Sequence, residues 1–301
     1  MPAFARHIIE ARAEQAPFPA LKQAAARLSD AYRAGNPTRL TGGNDLTAYL
    51  VTRMPATYAA SRAVLDELPD LPFRSVLDIG AGPGAAALAA RDRFADLTLF
   101  TLIERDPSLA DAAAEFLPAA QVVPGDIESM REFPPHDLVI ASYAIGELRA
   151  EVVARLWAAA RMALIIIEPG TPHGARNIAC WRSQLLECGA QIAAPCPGPV
   201  PCPLTEPDWC HFGARVERSS LHRKLKGGDL GYEDEKYSYI AVTRDAVPAC
   251  WARVLRHPQH RPALIELQLC TSAGRTTERV TKRDRDRFRA ARKAGWGSAF
   301  E

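Results

Sequence analysis

Apolar residues recur at spacings of three and four along the opening of the chain, over residues 7–14, 21–34 and 47–68. That period lays one apolar stripe along one side of a helix, so residues 1–70 are expected to be a helical region. Pro17, Pro19, the Asn36-Pro37 pair and Gly42-Gly43 punctuate it. From residue 73 the pattern changes. Short, nearly continuous apolar runs at 75–79, 97–103, 120–123, 137–142 and 163–167 alternate with helical stretches at 85–95, 108–116 and 149–160. Strands that are apolar on both faces and separated by helices form a parallel sheet covered on both sides. One more helix is expected at 177–189. The stretch 194–210 holds six prolines and cannot be regular structure. Beyond it, 237–243 and 264–271 read as strands, 275–282 as a strand pairing with the latter, and 284–294 as a basic helix. The fold class expected is α/β, a Rossmann-like sheet at 71–190 between the helical region (1–70) and a cysteine-bearing, basic extension (191–301) that completes the sheet.

The glycine run Asp78-Ile-Gly80-Ala-Gly82-Pro-Gly84 follows the first strand and opens a helix. Glycines there permit a tight turn and a close approach of backbone to a ligand. Glu104 ends the second strand, where a carboxylate can take both hydroxyls of a ribose. Asp126 and Ile127 follow the third strand, where a carboxylate and an apolar side chain can hold an adenine. The spacing differs from the nicotinamide-binding G-x-G-x-x-G. Over residues 74–170 the chain resembles the Rossmann-like S-adenosylmethionine-dependent methyltransferases. The resemblance implies Asp78, Gly80, Gly82 and Gly84 around the methionine half of the cofactor, Glu104 on the ribose, and Asp126 and Ile127 on the adenine. Substrate is expected at the carboxyl ends of the fourth and fifth strands, Ser142-Tyr143-Ala144 and Glu168-Pro169-Gly170. The Asn/Asp-Pro-Pro-Tyr/Phe motif of amino methyltransferases is missing there, and the sequence names no catalytic residue.

The chain has 301 residues, 48% of them hydrophobic and 24% charged, as in an ordinary globular protein. No apolar run reaches the length of a membrane span, and a monomer is expected. Seven cysteines are an odd number, and the first 28 residues are charged throughout without an apolar core, so a cytosolic protein with reduced thiols is expected. Cys196, Cys202 and Cys210 fall within the Pro-rich stretch. Three thiolates in an irregular loop suit a metal, though the spacing is not that of a paired C-x-x-C zinc ribbon. The fourth ligand is open at this level: Cys270 is the best remaining thiol, and His211 and His222 compete and favour zinc. Cys180 and Cys188 read as helix core, and Cys250 as a buried residue at a helix start.

The net charge of +2 conceals an asymmetry: −6 over residues 1–210 and +8 over 211–301. Arg215, Arg218, His222, Arg223, Lys224 and Lys226 form one basic cluster. Arg275, Arg279, Lys282, Arg283, Arg285, Arg287, Arg289, Arg292 and Lys293 form another. Such density suits phosphate contacts, with Tyr232, Tyr237, Phe288 and Trp296 as stacking candidates for unpaired bases.

Several longer words are more specific than the glycine run. They are Arg53-Met-Pro-Ala-Thr-Tyr58, Glu168-Pro-Gly-Thr-Pro172, Ala194-Pro-Cys-Pro197, Cys202-Pro-Leu204, Asp208-Trp-Cys-His-Phe212, Glu233-Asp-Glu-Lys-Tyr-Ser-Tyr239 and the Ala-Arg-Lys before Gly-Trp-Gly near the end. They resemble the methyltransferase-like small-ribosomal-subunit assembly family, whose best-known members act on the mitochondrial ribosome and which has bacterial relatives. The likeness runs from about residue 39 to 297. It implies a [4Fe-4S] cluster on Cys196, Cys202, Cys210 and Cys270, with zinc as the alternative, and small-subunit ribosomal RNA or a pre-ribosomal particle as partner. Two functions are open: a methyltransferase acting on that RNA, and a non-catalytic assembly factor that keeps the cofactor fold.

Overall fold

The opening region forms four helices: α1 (Ala3–Glu14), α2 (Phe18–Arg33), α3 (Gly43–Thr52) and α4 (Met54–Leu65). The computed structural model describes residues 1–33, 40–149, 151–204, 207–248 and 250–301, so the Asn36-Pro37 break lies outside the described residues. The single helix expected over 47–68 is two. Pro55 falls in the first turn of α4 and has no N–H to continue the ladder from α3, so the chain restarts at Arg53.

The sheet that follows has β1 (Ser75–Ile79), β2 (Leu99–Glu104), β3 (Gln121–Pro124), β4 (His136–Ser142) and β5 (Ala160–Pro169). Its helices are α5 (Ala85–Arg93), α6 (Pro107–Phe116), α7 (Glu151–Ala159) and α8 (Pro172–Glu187). Three strands were hidden or truncated in the sequence pattern: β6 (Gln191–Ala194), β7 (Phe212–Glu217) and the first half of β8 (Tyr232–Thr243). The order is β3-β2-β1-β4-β5-β8-β6, with β7 also on β8. The first five strands are parallel, and β8 runs antiparallel between β5 and β6. This is an α/β Rossmann-like sheet. Its order reverses between β1 and β4, which opens the crevice at their carboxyl ends where ligands of such sheets bind.

Strand β8 is long enough to serve two partners. Its second half pairs with β5, from Pro169↔Tyr237 to Ala163↔Thr243, and its first half with β7, from Phe212↔Tyr237 to Glu217↔Tyr232. In β7, Phe212, Ala214 and Val216 are buried while Arg215 and Glu217 face out, an alternation that the surrounding charges mask. Helix α9 (Ser220–Lys226) follows, with the Ser219 hydroxyl capping His222 N–H at 3.1 Å and Gly227 ending it in the left-handed region.

The last quarter is a second, antiparallel sheet: β9 (Ala252–Val254), β10 (Gln259–Arg261), β11 (Leu264–Thr271), β12 (Gly274–Thr281) and β13 (Ala299–Phe300). Helix α10 (Arg285–Lys293) packs on it. It has its own core of Ala252, Val254, Ile265, Leu267, Leu269, Val280, Ala291 and Phe300. The helix expected around Cys250 and Trp251 is therefore corrected: the chain there enters β9. Cys180 and Cys188 are also corrected, for both are exposed: Cys180 lies on the side of α8 turned away from Ile178, Trp181 and Leu185, which carry its packing, and Cys188 caps the helix end.

Two cores sandwich the main sheet. On one face the N-terminal helices, α5 and α6 meet Val76, Leu102, Leu138, Ile140, Ile165 and Ile167. On the other, α7 and α8 meet Leu77, Ile79, Val139, Leu164, Ile166 and Val242.

Candidate cofactor site and cysteine cavity

Strand β1 delivers Asp78 and the glycine run to the crevice. Gly80, Gly82 and Gly84 have φ of +63°, +54° and +79°, the left-handed region that a side chain disfavours. At Gly80 the constraint is also spatial: an added Cβ would lie 2.6 Å from the Ala144 Cβ and 3.2 Å from the Ile127 Cδ1. The loop after β4 and the loop after β3 therefore both close against the glycine turn. Tyr143, at the start of that β4 loop, has φ +58°, strained for a non-glycine residue.

The Glu104 carboxylate is the hub of this turn. Oε2 accepts the Gly82 N–H at 2.7 Å, and Oε1 accepts those of Arg105 and Asp106, each at 2.8 Å. A carboxylate offers about four lone-pair sites, so a position is left for a hydroxyl. Asp78 is 1% exposed and accepts the Ala87 N–H at 3.0 Å. Burial pushes its pKa up to about 7, with the Glu104 charge adding. Asp126 is half-exposed, accepts the Glu128 N–H at 3.3 Å and stands 4.0 Å from the Arg105 guanidinium. The structure thus brings Asp78, Gly80, Gly82, Glu104 and Ile127 to one crevice with Asp126 at its rim. Gly84 is turned inward: a Cβ there would meet Leu102 and Leu117, so it serves helix–strand packing.

Two further residues stand at the crevice, Tyr49 without any sequence signal and Glu168 at the strand end where substrate is expected. Tyr49, on α3, holds its hydroxyl beside Gly82; burial raises its pKa, Arg53 opposes this, and Glu104 and Glu235 add to it. Only the folding of the helical region over the sheet puts it there. Glu168, at the end of β5, is 4% exposed. Burial pushes its pKa up to about 8, against a hydrogen bond from the Ile145 backbone and with the Glu147 charge adding. An Asn177 amide donates to Gly146 O at 2.9 Å, so Glu168 and Asn177 together hold the loop that closes on Gly80.

Cys196, Cys202, Cys210 and Cys270 line a single cavity of about 540 Å³ with Arg182, Trp209 and Arg253. Cys196 follows β6, Cys202 lies within the Pro-rich stretch, Cys210 precedes β7 and Cys270 is on β11. Burial pushes the Cys210 thiol well up, and the neighbouring Cys196, Cys202 and Cys270 push it in the same direction; Cys270 rises to about 11 for the same reasons. The four thiols thus share one cavity, although among the described residues no three His, Cys, Asp or Glu side chains gather as the shell of a single ion. The histidine alternatives are corrected. His211 stacks on Trp209 and meets the edge of Trp296, and His222 is buried 3.3 Å from Glu233. Neither lines the cavity.

The basic clusters fare differently. Arg218, His222 and Lys226 all converge on Glu233, and Arg215 pairs with Asp234. These contacts pull Glu233 below the usual carboxylate range despite burial and neutralise part of the first cluster. In the second, Arg275, Arg279, Arg287 and Arg289 have carboxylate partners. Lys282, Arg283, Arg285, Arg292 and Lys293 are exposed and have none among the described residues. Of the stacking candidates, Tyr237 is core, Trp296 is enclosed by His211 and His257, Phe288 packs on the second core, and Tyr232 is exposed with Arg215 over its ring at 4.0 Å.

A family model described as the mitochondrial small ribosomal subunit protein Rsm22 matches residues 43–301. The chain belongs to the Rsm22 family. Two curated relatives, the Rsm22-cox11 tandem proteins 1 and 2, mitochondrial, of Schizosaccharomyces pombe, are each 24% identical to it over 87% of this chain and 44% of theirs. The chain thus spans less than half the length of those relatives. Among solved structures it is similar to a precorrin-6y C5,15-methyltransferase from Geobacter metallireducens, with TM-score 0.41 and 16% identity over 60% of this chain and 86% of that one. The fold assignment rests on the strand order and not on that likeness. The Rsm22 match corrects the cytosolic expectation, because the family is that of the mitochondrial small subunit and both relatives are mitochondrial proteins. Reduced thiols are common to more than one compartment, so cysteine usage could not discriminate between them. Among the described residues no helix is long and apolar enough to cross a membrane.

Proposed function

We propose that this Rsm22-family chain is an S-adenosylmethionine-binding, methyltransferase-like protein that acts on the small ribosomal subunit through its ribosomal RNA. The observation that carries the reading is the crevice where the glycine run, Glu104 and Ile127 converge at the carboxyl ends of β1, β2 and β3. Asp78, Gly80 and Gly82 would hold the methionine half of the cofactor, Glu104 the ribose, and Asp126 with Ile127 the adenine. Bound there, the cofactor supplies an activated methyl group, and the chain's part is alignment and exclusion of water. The five unpartnered cations on and beside α10 supply phosphate contacts.

The cysteine cavity is read as the seat of a [4Fe-4S] cluster on Cys196, Cys202, Cys210 and Cys270. Four soft donors lining one cavity suit it, and zinc is the alternative for the same donors. Such a group ties the Pro-rich stretch to β11.

A second reading is a non-catalytic assembly factor. It is favoured by Ser142-Tyr143-Ala144, which stands after β4 where amino methyltransferases carry their motif. The test is incubation of the chain with labelled S-adenosylmethionine and small-subunit particles, beside a calorimetric titration of the cofactor. Label in the RNA supports the enzyme. Binding without label supports the assembly factor, and absence of cofactor binding overturns both.

A further inference from the structure

Arg182 is a buried cation without a counter-charge. It lies on α8 and is 6% exposed. Its Nη2 donates to Gly198 O at 3.0 Å and Val200 O at 2.7 Å, which holds the Pro-rich stretch in place. Its Nε has no hydrogen-bond partner, and no carboxylate pairs with it among the described residues. The guanidinium instead lies beside the Cys196 sulfur and lines the cysteine cavity. The other arginine of that wall, Arg253, differs: its Nη1 is matched by Glu67 at 2.7 Å and Gly297 O at 2.9 Å, and its Nε by Pro195 O at 2.9 Å.

A buried charge needs a partner or carries a penalty of several kcal/mol. An arginine cannot escape by losing its proton. The chain therefore holds a fixed positive charge, with a free N–H, against a wall of four thiols. The group that satisfies both is an anion inside the cavity. Four thiolates around a zinc ion or an iron–sulfur cluster carry such a net negative charge, and N–H groups aimed at ligand sulfur tune the reduction potential of clusters.

We infer that Arg182 is the counter-ion of a tetrathiolate metal group in this cavity, lending it positive charge and a hydrogen bond at Cys196 while fixing the loop that bears Cys196 and Cys202. This rests on reading the cavity as a metal site. Arg182 is a positioning and tuning residue and not a ligand.

The test uses the full chain, purified and reconstituted without oxygen, as wild type, Arg182→Gln and Arg182→Lys. Iron, sulfide and zinc are assayed, folding is followed by melting, metal loss to a chelator is timed, and the midpoint potential is read during titration with dithionite. In the Gln variant we expect metal loss about ten-fold faster, the size of effect common for groups behind metal ligands, and a more negative potential. The Lys variant keeps the charge but not the fork. We expect it to lose metal faster while holding a potential near that of wild type. Loaded variants with wild-type loss rate and potential overturn the role of Arg182 and leave the metal site standing. A Lys variant whose potential falls as far as that of Gln overturns the charge assignment. A wild-type chain that takes up neither iron nor zinc overturns the metal site and this inference together. If zinc is the metal bound, the chelator rates alone decide. If the Gln variant does not fold, a Lys variant losing metal at the wild-type rate overturns the inference.

Discussion

Gly80 shows how one atom can close a site. Its φ of +63° is free of strain for glycine and strained for a residue with a side chain, and the Ala144 and Ile127 side chains occupy the space a Cβ would enter. Gly80→Ala is expected to cost about 1–3 kcal/mol of stability from backbone strain and overpacking. It should also lower cofactor affinity, since the crevice must widen at its base; melting and calorimetry check both. Glu168 is the second residue-scale case. The folded chain holds its proton up to about 8, while the unfolded chain releases it near 4.5. The folded state thus binds more protons across that window, and the stability this confers is lost as pH rises from about 4.5 to 8. Asp78, raised to about 7, acts in the same sense. Glu168→Gln stays neutral, so its melting temperature is expected to fall less than that of wild type between about pH 5 and 8. Equal slopes in a melting series would contradict this. The glycine run was legible because its chemistry is local. Tyr49 and Arg182 were not, and Glu168 was legible by its place but not by its burial, because these depend on what distant segments place around them.

At the scale of elements, the strands that sequence located correctly are those whose burial pattern, two-sided or alternating, is written plainly in residue type. Ser75–Ile79 is apolar except for Ser75 and Asp78 and buried throughout, and Leu264–Thr271 alternates cleanly. The elements missed lie where another signal dominates: prolines beside β6, arginines through β7 and α9. Charge density misled in the same region, because β8 sets Asp234 directly across from Arg215 of β7 and brings Glu233 to Arg218, His222 and Lys226. The Pro-rich stretch depends on side chains for its shape: Arg182 grips Gly198 and Val200, Arg253 grips Pro195, and Arg256 and Arg275 meet Asp208. If a metal group joins those contacts, Cys210→Ser is expected to remove most of the bound metal. It should also lower the melting temperature of the part containing β9–β13, by roughly 2–4 °C for each kcal/mol of destabilisation. Metal analysis beside calorimetry checks it; full metal content with unchanged melting would falsify the assignment of Cys210 as a ligand.

For the whole molecule, the split of charge into −6 and +8 survives folding only in part. The region around β7, α9 and β8 is internally balanced, and the free positive charge gathers on and beside α10. Replacing Arg283, Arg285, Arg292 and Lys293 together by Gln is expected to leave melting nearly unchanged, since none has a carboxylate partner among the described residues. It should weaken small-subunit RNA binding and flatten its salt dependence by about 0.7–0.9 in log–log slope for each phosphate that is no longer neutralised. Binding measured at several salt concentrations checks this; an unchanged slope would move the RNA surface elsewhere.

Sequence alone determined the alternation of strand and helix, the glycine turn and its carboxylates, and the four cysteines that share a cavity. Each is written in residue type and spacing, which local backbone rules and the resemblance translate directly. Tertiary structure decided the rest: which cations remain free, which histidines stay out of the cavity, which carboxyls hold protons near neutrality, and which arginine faces the thiols. Charge pairing and burial depend on groups up to two hundred residues apart, and such distances become contacts only when the chain has folded.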